Sequence, residues 1–126
     1  MTTGKAKKLL VEWQERLGLT DWEITLNYAC APNEMSIADS VGCTTWTEAS
    51  KCAVIQILAE KYYGSRVRPY DFEKILVHEL LHLKTSLIGT ECDDLQARLV
   101  HQLIDDIARA MVDLKREGKD DPDAVD

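Results

Sequence analysis

Val77-His78-Glu79-Leu80-Leu81-His82 combines two imidazoles and a carboxylate in an HExxH spacing. On an α-helix, positions i and i+4 differ by only about 40° in azimuth. His78 and His82 would then project side by side, able to share one ion at about 2.0–2.1 Å. Glu79, one residue along, would address a water on that ion without ligating it. For a chain with three histidines and ten glutamates, a chance HExxH is roughly a one in two hundred event. The competing reading is two histidines on a solvated helix face.

A catalytic zinc has three protein ligands and keeps a fourth position for water. His101 is the only other histidine, and the candidate third ligand; Glu91, Asp93, Asp94 and Asp106 compete with it. His101 lies off the Leu95–Leu99–Leu103 line of its own segment, on the side shared with Ala97, Asp105 and Ala108. It can ligate only if that side faces the His78–His82 helix. Asp105, one turn on, could hold the second ring nitrogen of His101, but an isolated surface aspartate is the expected reading. Tyr62, Tyr63, Arg66 and Tyr70, just before the motif, are candidates for stabilising an oxyanion by location alone.

The elements that must position these groups are readable in outline. Leu9, Leu10, Trp13 and Leu17 recur at helical spacing over Gly4 to Leu17, and Gly18 stops that helix. Trp22 to Tyr28 alternates apolar and polar residues as a half-buried strand does. A second strand is expected within Ser36 to Thr47 and a third over Lys51 to Leu58, a β-branched run. Asp71 is placed to cap a helix reaching Leu87, with Phe72, Ile75, Leu76, Leu80 and Leu83 on one side. Thr90 with Asp93 resembles a capping box opening a long helix to about Glu117, whose apolar stripe would be Leu95, Leu99, Leu103, Ile107, Ala110 and Leu114. Trp13 and Trp22 read as core. The expected fold is α+β: an N-terminal helix, a three-stranded mostly antiparallel sheet, the HExxH helix and a long C-terminal helix. One domain over 1–117 is expected, with an acidic, disordered tail over 118–126.

Composition bounds the function. The 126 residues suffice for one core, and 45% apolar with 29% charged residues is ordinary for a globular chain. A net charge of −7 and the lack of a basic patch argue against nucleic acid as partner. No apolar run approaches the roughly 20 residues of a membrane span, and the basic N-terminus leads into no signal-peptide core. A cytoplasmic chain is expected. Cys30, Cys43, Cys52 and Cys92 form no CxxC pair and read as small buried hydrophobes.

With these residues in view, the chain resembles the gluzincin metallopeptidases. Its short layout is similar to their minimal single-domain members, the minigluzincins, and to small phage and prophage metallopeptidases. The resemblance runs over roughly Leu17 to Met111 and is carried by Leu19 to Ile24, by Val77 to Leu83, and by a second helix some twenty residues on. It implies one Zn²⁺ per chain held by His78, His82 and a residue of that second helix. The family places a glutamate there, where this sequence has His101. A zincin-like fold is implied too, with an edge strand above the site that pairs with an extended peptide. That role would fall to the third strand or the second.

The expected function is therefore a zinc-dependent metallopeptidase acting on a protein or peptide substrate, with Glu79 as general base. The alternative is a non-catalytic, zinc-stabilised protein-interaction module closed by a fourth ligand such as Asp94 or Cys92. A third possibility is hydrolysis of a non-peptide amide.

Overall fold

A computed structural model describes residues 1–86 and 93–120. The order is α1 (Thr3–Arg16), β1 (Glu23–Cys30), β2 (Gly42–Thr47), β3 (Cys52–Leu58), α2 (Phe72–Lys84) and α3 (Asp94–Asp120), with short 3-10 turns at Pro32–Glu34 and Glu60–Tyr62. The α+β class stands. No helix among the described residues is long and apolar enough to cross a membrane.

The sheet is mixed, not mostly antiparallel. Its strand order is β1-β3-β2, with β3 antiparallel to β2 and parallel to β1. Successive strands do reverse direction, but β3 inserts between the first two and so meets β1 running the same way. The reason lies in the β3 side chains. Ala53, Ile55, Ile57 and Leu58 are all buried, and the strand that buries most apolar surface takes the centre. This also corrects the expectation that β3 could be the edge above the site: both its sides are paired, and β1 and β2 are the edges.

One sheet face packs on α1 and α2. Ala6, Leu10 and Trp13 of α1, Ile55 and Ile57 of β3, and Leu76, Val77 and Leu80 of α2 form one cluster, joined by Ile104, Ala108 and Val112 of α3. Thr2 caps α1, its side chain accepting from the Lys5 amide, and Gly18 follows the helix at φ +68°, a conformation that costs a glycine nothing. Asp71 caps α2 as expected, accepting from the Lys74 amide at 3.2 Å. The α2 helix ends at Lys84, short of Leu87, which lies outside the described residues.

The α3 helix departs most from expectation. Its Leu95, Leu99, Leu103, Ile107 and Leu114 face solvent, while Ile104, Ala108 and Val112 are buried. Its rotation is set by polar contacts at the far end. Lys115, its side chain only 5% exposed, bonds Glu73 of α2 and Glu12 of α1, and Glu73 also accepts from the Trp13 indole at 2.7 Å. Arg116 forks onto Asp71 at 2.6 and 3.0 Å. Glu73 is buried on α2, where an unpaired charge costs several kcal/mol, so this end of α3 turns its cations inward beside the apolar contacts of Ile104, Ala108 and Val112. The helix runs to Asp120 rather than ending at Glu117; residues 121–126 of the expected tail lie outside the described part.

The Thr90–Asp93 capping box falls partly outside the described residues. Asp93 instead pairs reciprocally with Gln96: its Oδ1 accepts from the Gln96 amide at 2.7 Å and its amide donates to Gln96 Oε1 at 3.2 Å.

Candidate metal centre

The same rotation that exposes the leucines turns His101 toward α2. His78, His82 and His101 each offer a ring nitrogen, and these atoms all lie within 4.8 Å of one another. Among the described residues this is the one group of potential metal ligands so arranged. Asp93 is engaged in its cap and Asp106 pairs with Arg109, while Asp94 is exposed; Glu91 and Cys92 lie outside the described residues.

The pair His78 Nε2 and His101 Nε2 stands 3.2 Å apart. Donors about 2.05 Å from a tetrahedral zinc are separated by about 3.3 Å, so the spacing of this pair suits that ion. The donor set suits it as well: three imidazoles and an adjoining carboxylate that is not itself a donor in the group.

Asp105 is at the centre of the support, though not as expected. Its Oδ1 lies 3.3 Å from His78 Nδ1, so it holds His78 rather than His101. Arg68 bonds its other oxygen at 2.7 Å, with Arg109 at 3.3 Å. Burial works to raise the Asp105 carboxyl, but Arg68, Arg109 and His78 outweigh it, and the group sits below the ordinary carboxylate range. An anion on Nδ1 keeps the proton there and frees Nε2 as a lone-pair donor.

Burial drives His82 down to about 4, helped by His78 and His101, and lowers His78 despite Asp105. Both are therefore neutral near pH 7, the form that can bind a metal.

Glu79 is 6% exposed and lies against the sheet. Thr44 of β2 donates its hydroxyl to Glu79 Oε1 at 2.7 Å, and Glu79 Oε2 lies 4.0 Å from His78 Nε2. Burial lifts the carboxyl to about 7, with the Thr44 bond working the other way. Room for it exists only because residue 42 is glycine: a Cβ there would stand 2.7 Å from Glu79 Oε2 and 3.0 Å from the Ile75 side chain. Sequence reasoning missed both Thr44 and Gly42. The one available signal was a glycine within a strand, which often marks a close approach.

His78, Glu79 and His101 open on a cleft of about 900 Å³ between β2, α2, α3 and the loop before α2. Tyr63 and Arg66 line it. The other oxyanion candidates are not brought there. The Tyr70 hydroxyl donates to the Leu58 carbonyl at 2.8 Å, and burial pushes its pKa up to about 12. Tyr62 lies outside the cleft lining, under Lys61. Even Tyr63 uses its hydroxyl locally, on the Arg68 carbonyl at 2.8 Å. Arg66 packs over the Tyr63 ring and carries the remaining guanidinium of that loop into the cleft wall.

Comparisons with protein-family models, curated proteins and solved structures find no match to this chain.

Proposed function

We propose that this chain is a zinc-dependent metallopeptidase, a minimal zincin-like enzyme of the gluzincin kind in which His101 stands where the family has a glutamate. The observation that carries the reading is the convergence of His78, His82 and His101 beside a buried Glu79 at the head of an open cleft. His78, His82 and His101 would hold the ion. Zinc, when bound, supplies a Lewis acid for a carbonyl and a water acidified toward neutrality.

The chain's own groups do the rest. Thr44 occupies Glu79 Oε1, which leaves Oε2 to take a proton from the attacking water and pass it to the leaving amine. Asp105 fixes the tautomer of His78. The outer edge of β2 runs past Glu79, and its unpaired backbone suits an extended peptide added as a further strand. Such pairing recognises main chain and so implies broad sequence tolerance. Arg66 is the cleft's candidate for holding an oxyanion. The reading puts the enzyme in the cytoplasm, where thiols such as those of Cys30 and Cys43 stay reduced.

Two variants test it. Wild-type protein should carry about one zinc per chain by elemental analysis, and His101→Ala should lose most of it. Glu79→Gln should keep the zinc and lose hydrolysis of a peptide library. Zinc retained in His101→Ala removes His101 from the ligand set. Hydrolysis that survives Glu79→Gln overturns the mechanism, and a folded chain that takes up no zinc ends the peptidase reading.

A further inference from the structure

The exposed row on α3 is an apolar feature of the described residues that the metal centre does not use. Leu95, Leu99, Leu103, Ile107 and Leu114 are 63, 54, 58, 39 and 66% exposed, with Ala110 also exposed between the last two. At about 1.5 Å per residue the row is about 28 Å long. Monomeric proteins seldom leave such a contiguous apolar surface uncovered.

We infer that this row is a homodimer interface, in which α3 of one copy packs antiparallel on α3 of a second. The row is self-complementary under reversal. A two-fold axis near residues 104 and 105 sets Leu95 against Leu114, Leu99 against Ala110 and Leu103 against Ile107, all from one operation. Large residues then meet large ones at the ends and middle, and the single small residue receives a leucine.

The charges agree with the same operation. Arg98 makes no ion pair among the described residues, and Asp113 is held within the chain only by Lys74, at 3.1 Å. Arg98 and Asp113 border the row on the same flank. In an antiparallel pair like flanks meet, so Arg98 of each copy comes within about one turn of Asp113 of the other. A parallel pair would instead set this flank against the opposite one, where Gln96 and Val100 offer Arg98 no charge. Near the antiparallel axis Asp106 meets its own copy, each neutralised within its chain by Arg109 at 2.6 Å. A membrane is the poorer occupant. Asp106, Asp113 and Glu117 lie within or beside the row, where surface-binding helices carry lysine and arginine.

Two such rows bring together on the order of 1,000 Å², the lower limit for a specific interface, so association should depend on concentration. Asp113 and Ala110 also line the cleft, so the second copy's helix would run along its outer wall. The inference stands apart from the zinc reading, because none of these contacts involves a histidine.

Sedimentation velocity across a wide concentration range tests it. The wild-type chain should move from monomer to dimer mass as concentration rises. Leu103→Glu should weaken association at least tenfold while leaving the circular dichroism and zinc content of the monomer unchanged. Arg98→Asp should also weaken it, and adding Asp113→Arg to Arg98→Asp should restore it. A wild-type chain that stays monomeric throughout overturns the inference, as does a dimer that survives Leu103→Glu. So does failure of the charge exchange to restore pairing, or binding of the wild-type chain to vesicles of anionic and zwitterionic lipid that Leu103→Glu abolishes.

Discussion

The α2 and α3 helices each bring histidines to one cluster, yet they are built on opposite terms. Between its cap and Lys84, α2 buries eight of its thirteen residues, Glu73 and Glu79 among them. By contrast α3 is twice as long, buries Ile104, Ala108 and Val112, and leaves its leucines outside. In the first, chemistry and core share a face because neighbours in sequence are neighbours in space. In the second, the functional face is chosen by other elements, through Lys115 and Arg116. Hydrophobic periodicity predicts that a helix has two faces. Which face turns inward depends on what waits there.

The contrast can be broken most sharply at Lys115. Lys115→Ala leaves Glu73 buried with one cationic partner fewer, and should destabilise the chain by about 3 to 5 kcal/mol in a denaturant titration. A loss below about 1 kcal/mol would mean that apolar packing alone orients α3.

Next comes the acidity of Glu79 in the metal-free protein. Its folded carboxyl titrates at about 7, above the ordinary value of 4.5 that the unfolded chain shows. The folded state thus holds an extra proton between those values. The stability this contributes is complete below the unfolded pKa and is lost as pH rises through 7. The difference in unfolding free energy between wild type and Glu79→Gln should therefore shift against the wild type by about 3 kcal/mol from pH 4.5 to pH 8. Taking the difference removes the opposing titration of His78 and His82, whose lowered values weaken the fold as pH falls. A flat difference would place Glu79 in contact with water.

The third test compares neighbours on α3. Ile104→Ala should cost about 2 to 3 kcal/mol, and Leu103→Ala, measured on dilute monomer, no more than about 0.5 kcal/mol. Equal costs would erase the distinction between the two faces.

These differences also explain what could be read in advance. The motif on α2 was legible because i to i+4 geometry is local, and the Asp71 cap and the alternation of β1 were legible for the same reason. His101 was legible as a residue type, while its orientation waited on Lys115, Glu73 and Trp13, whose meeting spans α1, α2 and α3. The parallel pairing of β1 with β3 was hidden because directions follow from sequence order but adjacency does not. Thr44 and Gly42 were invisible as parts of the site, since nothing in their spacing links them to Glu79.

Asp105 read as an isolated surface aspartate, with His101 as its alternative partner, and neither reading holds. It sits one turn from His101 on α3, and that proximity suggested a bond along the helix. Across the helix pair, His78 is the ring it meets.

The lock at Lys115 and the imidazole of His101 lie fourteen residues apart on one helix, about 21 Å along its axis. A helix is stiff in torsion, so α3 acts as a key: the angle at which Glu73 and Glu12 seize one end is delivered to His101 at the other. A turn of about 20° would sweep a side-chain tip at a radius of about 6 Å through about 2 Å, as much as a coordination bond. Electrostatics in the packing of three helices is thus converted into the placement of an imidazole. Charge substitutions far from the cleft would be felt first as a change in grip.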